Sequence, residues 1–189
     1  MFKKILKKLA WSLAQARIPY MIIGGQAVLL YGEPRLTRDI DVTLGIGSEN
    51  LNKVLSVCKK IGLKPIPKNP GSFVSETMVL PAFDSRSGIR VDFVFSFTTY
   101  EMAAIRRVKK VSIGDQKVCF ASPEDVIIHK IFAGRPRDLE DVRIIVLKIR
   151  SLDARYIARW LTEFDQSFEG RKFLGTFKEI LREKAHGQD

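Results

Sequence analysis

Apolar residues recur along this chain with two periods, 3.6 and 2, and their alternation predicts helices and strands following one another. Near the start, Phe2, Ile5, Leu6, Leu9 and Leu13 share one helical stripe, with Lys3, Lys4, Lys7 and Lys8 opposite. A helix of this kind can lie on a membrane or on nucleic acid. Here Arg17-Ile18-Pro19 leads without a linker into the apolar run Tyr20-Met21-Ile22-Ile23, so we read a first helix packed on a sheet, then a buried strand. Gly24 and Gly25 permit a tight turn into a helical pattern over 26–31. Next, Ile40, Val42 and Leu44 alternate with Asp39, Asp41 and Thr43, which is a strand signal.

Beyond that strand, Gly45 and Gly47 break the pattern. Ser48 caps a helix through Leu51, Val54, Leu55, Cys58 and Ile61 that stops at Gly62, and residues 65–72, rich in Pro and Gly, read as a loop. Residues 78–83 and 89–97 read as paired strands about a turn at 84–88, and 108–113 with 117–120 as a further hairpin. Ser122-Pro123-Glu124-Asp125 is a helix start, with Ser at the N-cap and Pro at the first position. That helix breaks at Gly134, and the rest is helical, over 135–142, 153–161 and 169–185. Phe164, Phe168, Phe173 and Phe177 read as core rather than base-stacking groups. The fold expected is α/β (α+β): a mixed, mostly antiparallel sheet flanked by helices. Residues 1–121 form its core with the N-terminal helix, and 122–189 a helical part closing one side of a cleft.

Charge narrows the partners. Thirty-two Lys and Arg against 21 Asp and Glu leave +11 on 189 residues, which favours an anionic partner such as nucleic acid. Cys58 and Cys119 are too few and too separated for a metal motif or a disulfide framework. With no signal peptide and no apolar run near the ~18–20 residues that cross a bilayer, a cytoplasmic protein without a transmembrane segment is expected. His129 and His186 form no metal or nucleophile pattern, and both are expected to be structural or exposed.

The candidate chemistry lies in acids on strands. Side chains alternate between faces, so Asp39 and Asp41 share one face, with Cα atoms ~6.5–7 Å apart, and can grip a hard cation together with substrate phosphates. The alternative is a solvated strand face. Asp92 leaves the polar side of Ile89-Arg90-Val91-Asp92-Phe93-Val94-Phe95, where an acid needs a partner or a metal; a salt bridge to Arg90 or Arg38 is the plain explanation. A glycine turn at a helix start offers unpaired N–H groups to phosphate. Lys130 interrupts an apolar helix and either snorkels to water or points at a bound phosphate. Asp138 and Asp141 share a helix face, where only Arg137 to Asp141 pairs locally.

Taken together, Gly24-Gly25, Arg35-x-Thr37-x-Asp39-Ile40-Asp41 and the lone strand aspartate Asp92 resemble the nucleotidyltransferase fold of the polymerase-beta type, in its minimal AbiEii-like branch of toxin and antitoxin systems. Lys130 followed by Arg137-Asp138-Leu139-Glu140-Asp141 resembles the K…RD-x-x-D block of the same branch, so the likeness spans roughly 20–146. By that resemblance Gly24 and Gly25 hold the triphosphate, and Asp39 and Asp41 bind Mg2+ or Mn2+. Asp92 completes the metal site and activates an acceptor hydroxyl. Thr37, Arg38 and Lys130 contact the nucleotide, with Asp141 supporting the lysine. Many members have Gly-Ser where this chain has Gly24-Gly25, so a hydroxyl contact to phosphate is missing.

The implied activity moves a nucleoside monophosphate from an NTP to an acceptor hydroxyl. RNA or tRNA as acceptor, with a toxin's role and an antitoxin partner, fits the charge. A small-molecule or protein acceptor fits the acids equally. A catalytically inactive protein of this fold that only binds is the third alternative, and three retained carboxylates in a basic chain argue against it.

Overall fold

The computed structural model describes residues 1–34 and 36–186, without the side chain of His186. The strands are β1 (Tyr20–Ile23), β2 (Asp39–Leu44), β3 (Leu63–Pro65), β4 (Val79–Asp84), β5 (Arg90–Phe95), β6 (Lys109–Ile113) and β7 (Gln116–Phe120). They form one sheet in the order β3-β4-β5-β2-β1-β7-β6. β1 runs parallel to β7 and β2 parallel to β5, while the other neighbours are antiparallel, so the sheet is mixed and mostly antiparallel, as expected. The helices are α1 (Phe2–Gln15), α2 (Gly24–Tyr31), α3 (Leu51–Ile61), α4 (Pro70–Thr77), α5 (Thr99–Arg106), α6 (Pro123–Ala133), α7 (Pro136–Lys148), α8 (Ala154–Ser167) and α9 (Phe173–His186). None of the described helices is long and apolar enough to cross a membrane.

Two compact units divide the chain: 1–26 with 36–121, and 27–35 with 122–189. The first holds the whole sheet. Its core includes Ile40, Val42, Val91, Phe93 and Phe95, all fully buried on the apolar side of β2 and β5. α1 buries Ile5, Leu6, Leu9 and Leu13 and packs on β7 and α3, so its stripe is spent on the interior. In the second unit α6 packs on α7 and α8, and Phe132, Phe164, Phe168 and Phe173 form a cluster of edge-on and stacked rings. Phe173 and Phe177 are buried, whereas Phe168 remains 45% exposed.

Several local expectations change. Residues 48–50 form a 3-10 turn, and α3 starts after it with Asn50 at the N-cap, so Ser48 opens the turn rather than capping the helix. The loop expected over 65–72 holds the end of β3 and the start of α4, because Asn69 accepts a hydrogen bond from the Ser72 N–H and Pro70 fits the first helical position. α5, not anticipated, begins at a capping box in which Thr98 and Glu101 satisfy each other's backbone N–H. Gly62 and Gly134 do end their helices in left-handed geometry. Cys58 is buried and Cys119 half-buried, and both are free thiols; burial pushes the Cys58 thiol up to about 12.

Candidate active site

The acidic face is built by strand register. Asp41 of β2 lies opposite Asp92 of β5, and Asp39 opposite Arg90, in parallel strands. Neighbouring strands are ~4.8 Å apart, so Asp41 and Asp92 stand side by side while Asp39 follows two residues away on the same face. All three are half-buried, between apolar neighbours that point inward. On its other side Asp41 lies opposite Ile23, the last residue of β1, which brings it to the turn into α2.

That turn explains Gly24. Its φ is +62°, a left-handed backbone that side chains disfavour, and a Cβ built there would lie 2.8 Å from Asp41 Cγ. Backbone and carboxylate are therefore set against each other at the start of α2. α2 begins at Gly24 itself, so the paired glycines belong to the first helical turn instead of preceding it. The start of a helix attracts anions, and here it lies beside the Asp41 carboxylate, which attracts cations.

Asp39 and Asp92 each have a resting partner. Thr37 Oγ1 donates to Asp39 Oδ1 at 3.2 Å. Arg90 Nε donates to Asp92 Oδ1 at 2.7 Å, and that guanidinium is 54% exposed. The hydrogen bond to Asp92 and the charges of Asp92, Asp39 and Asp41 hold the Arg90 pKa above its ordinary value, against partial desolvation. Of the two partners considered for Asp92, Arg90 is the one observed; Arg38 is exposed. Arg35 lies outside the described residues.

Whether these residues suit a divalent cation depends on the donor set. Among the described residues no three His, Cys, Asp or Glu side chains are disposed to hold a metal ion together. Asp92 is hydrogen-bonded to Arg90. Magnesium, however, is held by one or two carboxylates and fills its shell with water and phosphate oxygens. Asp39 and Asp41, beside the Gly24 turn, fit such a donor set.

The second unit carries the other predicted residues. Lys130 Nζ lies 2.5 Å from Asp138 Oδ1 and 3.0 Å from Asp141 Oδ2, and the three side chains are at most 7% exposed. The lysine does not snorkel: two carboxylates from α7 hold it inside. They lie eight and eleven residues downstream, beyond the i+3 and i+4 spacings used to judge pairing within one helix. Asp138 also accepts from Arg135 Nε at 2.5 Å, and the Arg135 side chain is 75% exposed. Burial opposes ionisation of Asp138, but the hydrogen bonds from Arg135 and Lys130 outweigh it and hold the carboxyl below its ordinary range. His129, next in sequence, is pushed down to about 4 by burial and by the Lys130 charge, so it is neutral at pH 7.

Arg90 is expected from the sequence only as an ion-pair partner, though its i, i+2 spacing from Asp92 already places it on the acidic face. Arg135, one of the basic residues that the sequence offers to phosphate, is the cation of the Lys130 cluster that reaches solvent.

The fold has solved relatives. The chain is similar to an antigenic nucleotidyltransferase-like protein from Paracoccidioides brasiliensis, with 18% identity, a TM-score of 0.57 and 87% of each chain covered. It is also similar to the antibiotic-resistance factor ANT(2'')-Ia in solution, with 14% identity, a TM-score of 0.58 and coverage of 98% of this chain and 96% of that one. The crystal structure of ANT(2")-Ia with adenylyl-2"-tobramycin gives 16% identity, a TM-score of 0.59 and coverage of 87% and 97%. At such identities the likeness establishes the fold. No curated protein sequence matches significantly. The family match runs over residues 2–180, nearly the whole chain, and places this protein in DUF6036, a family described as nucleotidyltransferases of unknown function.

Proposed function

We propose that the protein transfers a nucleoside monophosphate from an NTP to a hydroxyl of a nucleic acid, with RNA as the acceptor class. The observation that carries the catalytic part is the register that puts Asp39, Asp41 and Asp92 on one face, with the Gly24 backbone pressed against Asp41. Asp39 and Asp41 would hold Mg2+ or Mn2+, whose charge would offset that developing on the triphosphate oxygens, and Gly24 and Gly25 receive the phosphates on backbone N–H groups. Asp92, freed from Arg90, orients the acceptor hydroxyl and accepts its proton. The acceptor oxygen then bonds to the α-phosphorus while the bond to the α–β bridging oxygen breaks, and pyrophosphate leaves. Thr37 steadies Asp39 through its hydroxyl, and Arg38, exposed beside it, meets the phosphates.

In the second unit, Lys130 and Asp141 serve the nucleotide as the AbiEii-like resemblance implies, with Arg135 as the solvent-facing cation of their cluster. A toxin's role with an antitoxin partner rests on that resemblance alone, and the net charge of +11 supports the acceptor class. The test is incubation of the protein with each radiolabelled NTP, magnesium and total RNA, with Asp92→Ala as control. Label entering RNA with wild type alone supports the proposal. Label in protein or small molecules reassigns the acceptor, and no transfer to any acceptor removes the enzymatic reading.

A further inference from the structure

The positive charge of this protein is unevenly placed. In the first unit 18 Lys and Arg stand against 8 Asp and Glu, whereas in the second 14 stand against 13, so the first carries +10 of the net +11. Three of those eight acids are Asp39, Asp41 and Asp92, which makes the rest of that unit more basic still.

Much of the excess lies on two adjacent helices. α1 and α3 contain Lys3, Lys4, Lys7, Lys8, Lys53, Lys59 and Lys60, and no acid. The helices run alongside each other in opposite directions. Lys8 Nζ donates to the carbonyl of Ile61 at 3.3 Å near the end of α3, Lys60 Nζ lies 4.2 Å from the centre of the Trp11 ring, and Gln15 and Ala16 face Lys53. Between them runs a groove of about 450 Å³ whose lining includes Ser12, Gln15, Lys53, Ser56 and Lys60. Lys3, Lys4, Lys53, Lys59 and Lys60 are exposed, and so is Trp11 at 43%. Lys7 is ion-paired to Asp115.

The apolar stripe of α1 is buried against its own sheet and helix, and the exposed Trp11 ring lies under the Lys60 ammonium, so charge is what this face chiefly presents. What it offers is a row of ammonium groups along two helices, flanked by the exposed amide of Gln15. That is the chemistry of a phosphate backbone held by point charges, with little to read base edges. We infer that the α1–α3 face docks the phosphate backbone of a helical RNA, the acceptor of the proposed reaction. The inference rests on the nucleic-acid reading of that acceptor and adds where the acceptor is held.

The experiment uses a fluorescently labelled RNA hairpin and the full chain, with anisotropy titrations from low to physiological salt. Wild type is expected to bind with a steep log–log salt slope, about −0.9 per phosphate contact on a duplex. Lys4→Gln/Lys53→Gln/Lys60→Gln should bind at least tenfold more weakly and flatten the slope by about two to three contacts. Its thermal melt should match wild type, because all three side chains are exposed. Arg155→Gln/Arg159→Gln/Arg182→Gln, in the second unit, and Asp39→Asn should leave the hairpin affinity within about twofold. Equal binding by the α1–α3 variant and wild type overturns the face while leaving an RNA acceptor standing. Wild type that does not bind the hairpin, yet labels a protein or small molecule, overturns the acceptor reading and the face with it. Binding to vesicles containing phosphatidylserine but not to the hairpin reassigns the face to a membrane surface and overturns the inference.

Discussion

Arg90 stands two residues before Asp92 on β5, so both side chains leave the same face, and its guanidinium supplies positive charge where three carboxylates would otherwise face one another. A cation entering between Asp39 and Asp41 meets that guanidinium as a competitor for the same field. Arg90→Met keeps the apolar stem and removes the charge, so Mn2+ affinity, read by electron paramagnetic resonance, should rise by about threefold to tenfold. Weaker Mn2+ binding would instead make Arg90 a support of the site. Lys130 differs because it is buried. Lys130→Met leaves Asp138 and Asp141 without their shared cation, and truncating one partner of a buried ion pair typically costs about 3–5 kcal/mol. Urea unfolding followed at Trp160, in the same unit, should register that loss; an unchanged midpoint would mean that Arg135 alone compensates both acids. If Lys130 also serves the nucleotide, folded variant should bind NTP more weakly than its stability explains.

At the scale of elements, the Gly24 turn ties strand to helix under two constraints at once. Gly24→Ala must adopt a left-handed φ, at about 1–2 kcal/mol, and must push the Asp41 carboxylate aside. Both a lower melting temperature and loss of Mn2+ binding are expected, whereas Gly25→Ala, inside the helix and without that backbone geometry, should retain both. Metal binding preserved in Gly24→Ala would show that the turn does not position Asp41. The sheet elements that form this site were legible because β2 and β5 bury every apolar residue of one face while Asp39, Asp41, Arg90 and Asp92 alternate with them on the other, so the period-two pattern survives in the sequence. Register was not legible: that Asp41 lies opposite Asp92 depends on pairing across 50 residues, which no local pattern encodes. α4 and β3 were hidden by Pro and Gly that mark a loop and a helix start equally well, although Asn69-Pro70 carried the cap. α5 was missed although Thr98-x-x-Glu101 announced it. The partners of Lys130 were invisible for a further reason, since they sit on the next helix across the Gly134 break.

For the molecule as a whole, the glycine turn and the three acids of the site belong to the first unit, and the chain has one tryptophan in each unit, Trp11 and Trp160. A ligand that binds only the folded protein stabilises it by about 2.7 kcal/mol at 100 times its Kd. For a protein of this size that corresponds to a rise in melting temperature of about 5–10 °C. Magnesium with an NTP should therefore shift the transition reported by Trp11 in a Trp160→Phe background. Asp39→Asn and Asp41→Asn should remove the shift, because each deletes a carboxylate that the cation needs and neither touches the basic α1–α3 face. The lysines of that face could attract the nucleotide non-specifically, and salt separates the two effects: attraction to exposed lysines fades as the Debye length shortens, while ligation beside the Gly24 backbone persists. A rise of equal size in wild type and both aspartate variants, disappearing at high salt, would place the nucleotide on the lysines and leave the acidic face without a role in binding it.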